Sequence, residues 1–156
     1  MAGTMTLKIC ELVSIVLSAL VAGVFWGPWV GLSRSNATFE PDVFLAIVRR
    51  MSLNLAPLMT VLMPAALLST LPVLFLSYNG HFVTFFLTLA GLGLFVTALA
   101  VTMLVEVPIV KQMEAWTVST LPGDWRQRRD RWGAFHVIRV ATSLAGLVFL
   151  LSGAIF

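Results

Sequence analysis

The chain carries very little charge for its length. Asp, Glu, Lys and Arg together make up 11% of its 156 residues, whereas hydrophobic residues make up 59%. An ordinary soluble domain carries roughly 25% charged residues, so this chain has too few of them to cover a water-facing surface. The composition therefore excludes an ordinary soluble domain and indicates that the main solvent is lipid.

Metal-binding motifs are also missing from the sequence. Cys10 is the only cysteine, so the chain can form neither an internal disulfide nor a CxxCH haem-attachment motif. The two histidines, His81 and His136, lack the spacing of three or four residues that places two ligands on one helix face. A metal site built from Glu106, His136 and Asn54 is the one arrangement that the sequence still allows. We nevertheless expect no bound metal.

Three long segments contain no charged residue at all. They lie between Glu11 and Arg34, between Arg50 and Glu106, and after Arg139. Because a membrane-spanning helix needs about 20 apolar residues, the first and last segments each fit one span. The middle segment fits two, separated by the polar turn sequence at residues 77–81. We predict spans at residues 9–30, 53–77, 82–107 and 134–156.

Unbroken apolar runs do not have the alternating pattern of a membrane barrel, so the predicted fold is an all-α four-helix transmembrane bundle forming one domain over residues 1–156. A cleavable signal peptide is the alternative explanation of the first run. That run is longer than a typical signal core, and Gly27-Pro28-Trp29 is not a small-x-small cleavage site. We therefore expect the first helix to be retained.

Three further helical segments are predicted outside the spans. Thr38 can cap a helix that begins at Pro41, runs along the membrane interface and continues into the second span, giving a short interfacial helix between spans 1 and 2. Helix-forming residues after Pro108 predict that the third span extends to about Trp116. Beyond it, Pro122-Gly123 can turn and Asp124 can begin another short helix.

All five tryptophans, at positions 26, 29, 116, 125 and 132, fall at or near the same predicted end of the bundle. An interfacial belt explains most of them, because an indole ring combines an apolar body with a polar N–H group. The alternative is that some of them line a substrate entrance. On that hypothesis the substrate-binding residues are Trp29, Trp116, Trp125 and Trp132, together with Asn54.

The polar residues within the membrane are the strongest functional candidates. Only 17 residues follow Arg139, which is about 25 Å of helix and less than a hydrocarbon core of about 30 Å, so the fourth span must include Arg139. Glu106 is expected at a similar depth, and His136 lies one turn from Arg139 on the same face. These residues could deprotonate an acidic substrate and stabilise its anion, or they could form a purely structural ion pair.

The stretch from Val105-Glu106-Val107-Pro108 through Trp116 and Asp124-Trp125-Arg126 to the segment at residues 131–139 resembles the anthrone oxygenase-like family of small four-span membrane proteins. The best-matching positions are Pro108, Trp116, Trp125, Trp132, His136 and Arg139. Family members often carry Asn on both sides of the proline, where this chain has Glu106 and Val110. The resemblance implies an oxygenase without a bound cofactor, in which a deprotonated phenolic substrate reacts directly with oxygen.

The resulting hypothesis is a membrane oxygenase or oxidoreductase that acts on a hydrophobic aromatic or quinone-like molecule, with His136, Glu106 and Arg139 as catalytic residues. The alternative is a non-catalytic subunit of a homo-oligomer or a larger membrane complex. A transporter is a weaker fit, because no inverted halves are present. The expected partners are the lipid bilayer and a small hydrophobic molecule, and no nucleic acid.

The distribution of basic residues predicts the topology. Nine of the ten Lys and Arg residues lie in or beside the first and third loops, and Lys8 alone lies on the side of the termini. The positive-inside rule then places those loops in the cytoplasm, with both termini outside, in an expected bacterial inner membrane. A reporter that is active only in the cytoplasm should be inactive when fused to the C-terminus. Activity of that fusion would refute the predicted orientation.

Overall fold

The computed structural model describes residues 2–156, with side-chain surroundings from Thr4 onward. The regular structure in this range consists of five α-helices, namely α1 (Ala2–Gly31), α2 (Pro41–Ser77), α3 (Phe82–Val101), α4 (Val107–Glu114) and α5 (Trp125–Ile155). Short 3-10 helices at Ser33–Thr38 and Val118–Thr120 lie in the connections, and a π-helical turn at Thr102–Glu106 joins α3 to α4. The predicted all-α fold is confirmed.

Four helical segments are long and apolar enough to cross a membrane, and they extend over Thr4–Thr38, Pro41–Ser77, Phe82–Glu114 and Trp125–Ile155. Each predicted span falls within one of these segments, apart from the last residue of the chain. Their outward-facing side chains include many large apolar residues, which suits contact with lipid. The chain is therefore an integral membrane protein built as a four-helix bundle.

Each of the four long helices packs along two others: α5 packs along α3 and α1, and α2 packs along α1 and α3. Near the termini, the Lys8 ammonium group donates a hydrogen bond of 2.7 Å to the carbonyl oxygen of Ala154. We call the opposite end, where α1 ends and where α2 and α5 begin, the basic end. Between α2 and α3, Gly80 has a φ of 114°, a backbone conformation that favours glycine.

The helix predicted to begin at Pro41 is continuous with the second span, since α2 runs for 37 residues without interruption. Thr38 does not cap it, because the Thr38 hydroxyl instead donates to the carbonyl oxygen of Ser35 within the 3-10 turn. The helical extension beyond Pro108 is confirmed as α4. The helix after Asp124 is not short, because it continues directly into the fourth span as α5.

Two groups of buried apolar side chains stabilise the bundle. The span core lies among the membrane helices and includes Val21, Phe25, Met63, Phe95, Ala98, Val140 and Leu150. The basic-end core is formed by Phe44, Leu45, Val48, Met113 and Trp132, with Phe39, Ile109, Val110, Trp116 and Trp125 packed against it. This second core joins the first turns of α2 and α5 to α4.

Helices α3 and α5 approach each other closely at two glycines. A Cβ atom added to Gly91 would lie 2.9 Å from the backbone oxygen of Gly146, and one added to Gly146 would lie 2.9 Å from the Phe95 ring. Glycine at these positions lets the two backbones pack together, as small residues commonly do in membrane bundles. The close approach fixes the position of α5 relative to α3.

Substitution of Gly91 by alanine should therefore lower the stability of the bundle. The added methyl group meets the Gly146 backbone as well as the Leu150 side chain. We therefore expect a loss of about 1–3 kcal/mol, seen as a lower midpoint in thermal unfolding in detergent. Gly93→Ala is the matched control, because a Cβ atom there meets nothing within 4 Å. Equal stability of the two variants would contradict the close approach.

Candidate functional site

The π-helical turn at Thr102–Glu106 precedes Pro108 and places Glu106 inside the bundle. In this turn the backbone N–H of Val107 donates to the carbonyl oxygen of Thr102, five residues earlier. A proline inside a helix has no N–H to donate, and its ring crowds the carbonyl four residues before it. The wider turn accommodates that defect, and π turns are frequent at functional sites. Glu106 is only 2% exposed.

The Glu106 carboxylate forms an ion pair with the guanidinium group of Arg139, through Oε2 and Nη1. The same Nη1 lies 3.4 Å from the hydroxyl oxygen of Thr102. The central carbon of the guanidinium lies 4.2 Å from the centre of the Phe25 ring, which is within the range of a cation–π contact. An acidic residue, a hydroxyl group and an aromatic face therefore all stabilise the Arg139 charge.

His136 is the third member of this cluster and is 1% exposed. Its Nδ1 lies 2.7 Å from Nη2 of Arg139 and 3.6 Å from Oε1 of Glu106. Because a guanidinium group can only donate, Nδ1 of His136 is the acceptor in its contact with Arg139. The separation from Glu106 is too long for a hydrogen bond. The lone pair of His136 is thus already engaged by Arg139.

A cavity of about 160 Å³ adjoins the ion pair, between α2 and the π turn, α4 and α5. Its polar lining comes from Ser52, Thr102, Glu106 and Arg139, and its apolar lining comes from Phe25, Val48, Met51, Leu55, Ala56, Met59, Val107, Val110 and Trp132. Ala56 lines the cavity and is also exposed on the outside of the bundle. The cavity therefore opens on the side of the bundle, next to α2.

Several polar atoms around the cavity have no hydrogen-bond partner within the described part of the protein. They are Oε1 of Glu106, Nε1 of Trp132, Nε2 of His136 and Nε of Arg139. Buried polar atoms are almost always hydrogen-bonded, so these four atoms are free to bond a water or a bound molecule. Glu11, Ser14 and Ser18 on α1 also carry such atoms, so this feature alone does not separate a functional cluster from a structural ion pair.

The structure brings together four of the sequence-predicted site residues. Glu106, Arg139 and Trp132 line the cavity. His136 lies behind them, with its ring stacked on Trp132 at a centroid distance of 5.9 Å. Trp132, His136, Ser143 and Gly146 are all buried and form an inward face of α5.

The other predicted binding residues lie outside the cavity. Asn54 is exposed on the outer face of α2 and does not reach the ion pair. Trp116 and Trp125 pack against the basic-end core, where they contact the guanidinium groups of Arg128 and of Arg126 and Arg129, respectively. Trp29 packs against the span core. These four residues therefore do not line the cavity at Glu106, and their role in substrate binding stays a prediction.

Sequence reasoning missed Phe25 as a site residue. It lies on the same helical stripe of α1 as Ser18, Ala22 and Trp29, so its inward position followed from spacing alone. Its contact with Arg139 had no sequence signal, because the register between α1 and α5 depends on packing. Within residues 2–156, no group of three or more His, Cys, Asp or Glu side chains is placed to hold a metal ion.

Comparison with the sequence models of known protein families gives a match. The sequence model of a family described as anthrone oxygenase matches residues 53–149, which include the π turn, the ion pair and His136. No curated protein sequence and no solved structure matches the chain significantly.

The ion pair itself can be tested through stability. Arg139→Met leaves the buried Glu106 carboxylate without its counter-charge, and loss of one partner of a buried pair typically costs about 3–5 kcal/mol. We expect a marked fall in monodisperse protein on size-exclusion chromatography in mild detergent. The double variant Glu106→Gln/Arg139→Met removes both charges and should recover most of that yield. No recovery in the double variant would contradict charge pairing as the cause.

Proposed function

The chain belongs to the anthrone oxygenase family, and we propose on that premise that it is a membrane-embedded oxygenase acting on hydrophobic aromatic molecules with an acidic phenol or C–H group. The observation that carries this proposal is the position of the Glu106–Arg139 pair on the wall of an apolar cavity that opens on the side of the bundle. A lipid-dissolved aromatic molecule can enter such a cavity without crossing water.

The dimensions of the cavity support binding of one end of the substrate. An apolar cavity of about 150 Å³ can hold a benzene molecule, and the cavity here is of similar size, at about 160 Å³. One aromatic ring can therefore lie between Phe25, Met59 and Trp132, with the remaining rings directed towards the opening at Ala56. The hydroxyl or acidic C–H group of the buried ring would then face the ion pair.

Glu106 is the proton acceptor in this proposal. Its Oε2 is paired with Arg139, whereas its Oε1 has no hydrogen bond within the described chain. His136 is a poorer base, because using its Nδ1 lone pair would require loss of the contact with Arg139. Arg139 would stabilise the phenolate or carbanion that forms, as a fixed positive charge next to the developing negative charge.

The oxygenation step can then be balanced without a further electron donor. Glu106 takes one proton from a CH₂ group, and the resulting carbanion gives electrons to O₂ and forms a C–O bond. The peroxide anion recovers that proton from Glu106. Loss of the second C–H proton breaks the O–O bond, so one oxygen atom stays as C=O and the other leaves as water. The substrate carbon loses four electrons and O₂ gains four.

His136 acts as a positioning residue in this scheme. By accepting from Nη2 of Arg139, it fixes the plane of the guanidinium group that pairs with Glu106. Trp132 connects His136 to the substrate cavity, because it lines the cavity and stacks on the imidazole ring. A bulky substrate ring against Trp132 would thus rest on a surface supported by His136.

Activity can be measured as O₂ uptake and ketone formation by the full chain in lipid nanodiscs, with an anthrone as substrate. Loss of a general base typically lowers a rate by about 10²–10⁴-fold. We expect a fall in that range for Glu106→Gln per unit of folded protein. Glu106→Asp keeps the charge of the pair and moves the carboxylate back by one methylene group, so it should fold and still lose most activity.

The matched control is Glu11→Gln, which makes the same change at another buried carboxylate near the termini. It should leave the turnover rate unchanged. Normal turnover in folded Glu106→Gln would exclude Glu106 as the base, and absence of O₂ uptake by the wild-type protein with anthrones and simpler phenols would reject the oxygenase itself.

A further inference from the structure

A second cleft lies at the basic end, on the other side of α5 from the ion pair. Its volume is about 330 Å³, and it lies between the end of α1, the 3-10 turn at Ser33–Thr38 and α5. Its lining includes Trp29, Arg34, Arg129, Gly133, Ala134 and Val137. None of its lining residues contributes to the cavity at Glu106. It is therefore a separate site.

The rim of this cleft carries a net positive charge. Arg129 is buried, pairs with Asp130 at 2.8 Å and contacts the Asn36 carbonyl oxygen at 3.5 Å, so its charge is largely compensated. Arg34 is exposed and forms no ion pair with any described residue, and its guanidinium group lies 6.0 Å from the centre of the Trp29 ring. Two guanidinium groups and one carboxylate leave one positive charge, located at Arg34.

The floor of the cleft is apolar and continues towards the membrane span. Gly133 and Ala134 are neighbours on α5, Val137 lies one helical turn further along, and Val137 is 45% exposed. A Cβ atom at Gly133 would meet nothing within 4 Å, so the groove is open there. The cleft thus combines a cationic rim with an apolar groove, which is the pattern that matches an amphiphilic anion.

We propose that this cleft binds an anionic phospholipid. The phosphate would lie beside Arg34 at the level of Trp29, since tryptophan at a helix end marks the membrane interface. One acyl chain would lie along the groove over Gly133 and Val137. Basic pockets between membrane helices bind anionic head groups because the charge attraction adds to burial of the chain. A free phosphate ion would use the rim and leave the apolar groove without a role.

The test is native mass spectrometry of the full chain in detergent with equimolar phosphatidylglycerol and phosphatidylcholine. The wild-type protein should retain phosphatidylglycerol preferentially. Arg34→Gln should lower that preference about fivefold, which corresponds to about 1 kcal/mol per basic residue near the membrane. Arg50→Gln removes the same charge from an exposed position on α2 outside the cleft and should have little effect. Equal effects of the two variants would overturn the assignment.

Two further measurements separate the lipid from a free anion. Gly133→Leu fills the groove without touching the rim, and it should reduce retention of phosphatidylglycerol. Inorganic phosphate at millimolar concentration should not displace the bound lipid. Full retention in Gly133→Leu, or displacement by phosphate, would show a site for the anion alone and refute lipid binding. These readouts need no catalysis, so they are independent of the oxygenase proposal.

Discussion

The buried pair between Glu106 and Arg139 is the constraint on which the interior of this bundle depends. A single charged side chain within a bilayer costs several kcal/mol, and the last charge-free run is too short to keep Arg139 out of the membrane. The carboxylate that compensates it must lie at the same depth on a neighbouring helix. Helices α3 and α5 can bring the two charges together because Gly91 and Gly146 allow a close backbone approach.

The position of Glu106 depends in turn on the π turn before Pro108. An uninterrupted α-helix through residues 102–108 would place the proline ring against the carbonyl group of Leu104. The wider turn relieves this conflict, and Met103 and Leu104 remain on the lipid side while Glu106 points inward. The same proline that disturbs the helix therefore belongs to the local structure that holds the charged residue in place.

Much of this architecture could be predicted from the sequence, because the apolar interior of a bilayer restricts which residues can lie in a membrane span. Charge-free runs located the four spans, and helix length placed Arg139 in the membrane. Asn54 does not line the cavity although its expected depth is suitable, because depth does not fix the direction in which a helical residue points. It precedes the cavity-lining Leu55 by one residue and is thus rotated from it by about 100°. The tryptophans could not be separated by sequence, since interfacial belts, packing cores and binding sites use this residue alike.

The direction of the cavity opening follows from the two apolar cores. The wall towards the basic end consists of Val48, Val110 and Trp132, which belong to the basic-end core or pack on it. The opposite wall includes Phe25 and Met59 of the span core and its surroundings. Arg49 strengthens the first wall by donating to the carbonyl oxygens of Glu114 and Trp116, which ties α2 to the end of α4. Of the residues that line the cavity, Ala56 is the one left exposed, so the cavity that adjoins the ion pair opens beside the middle of α2.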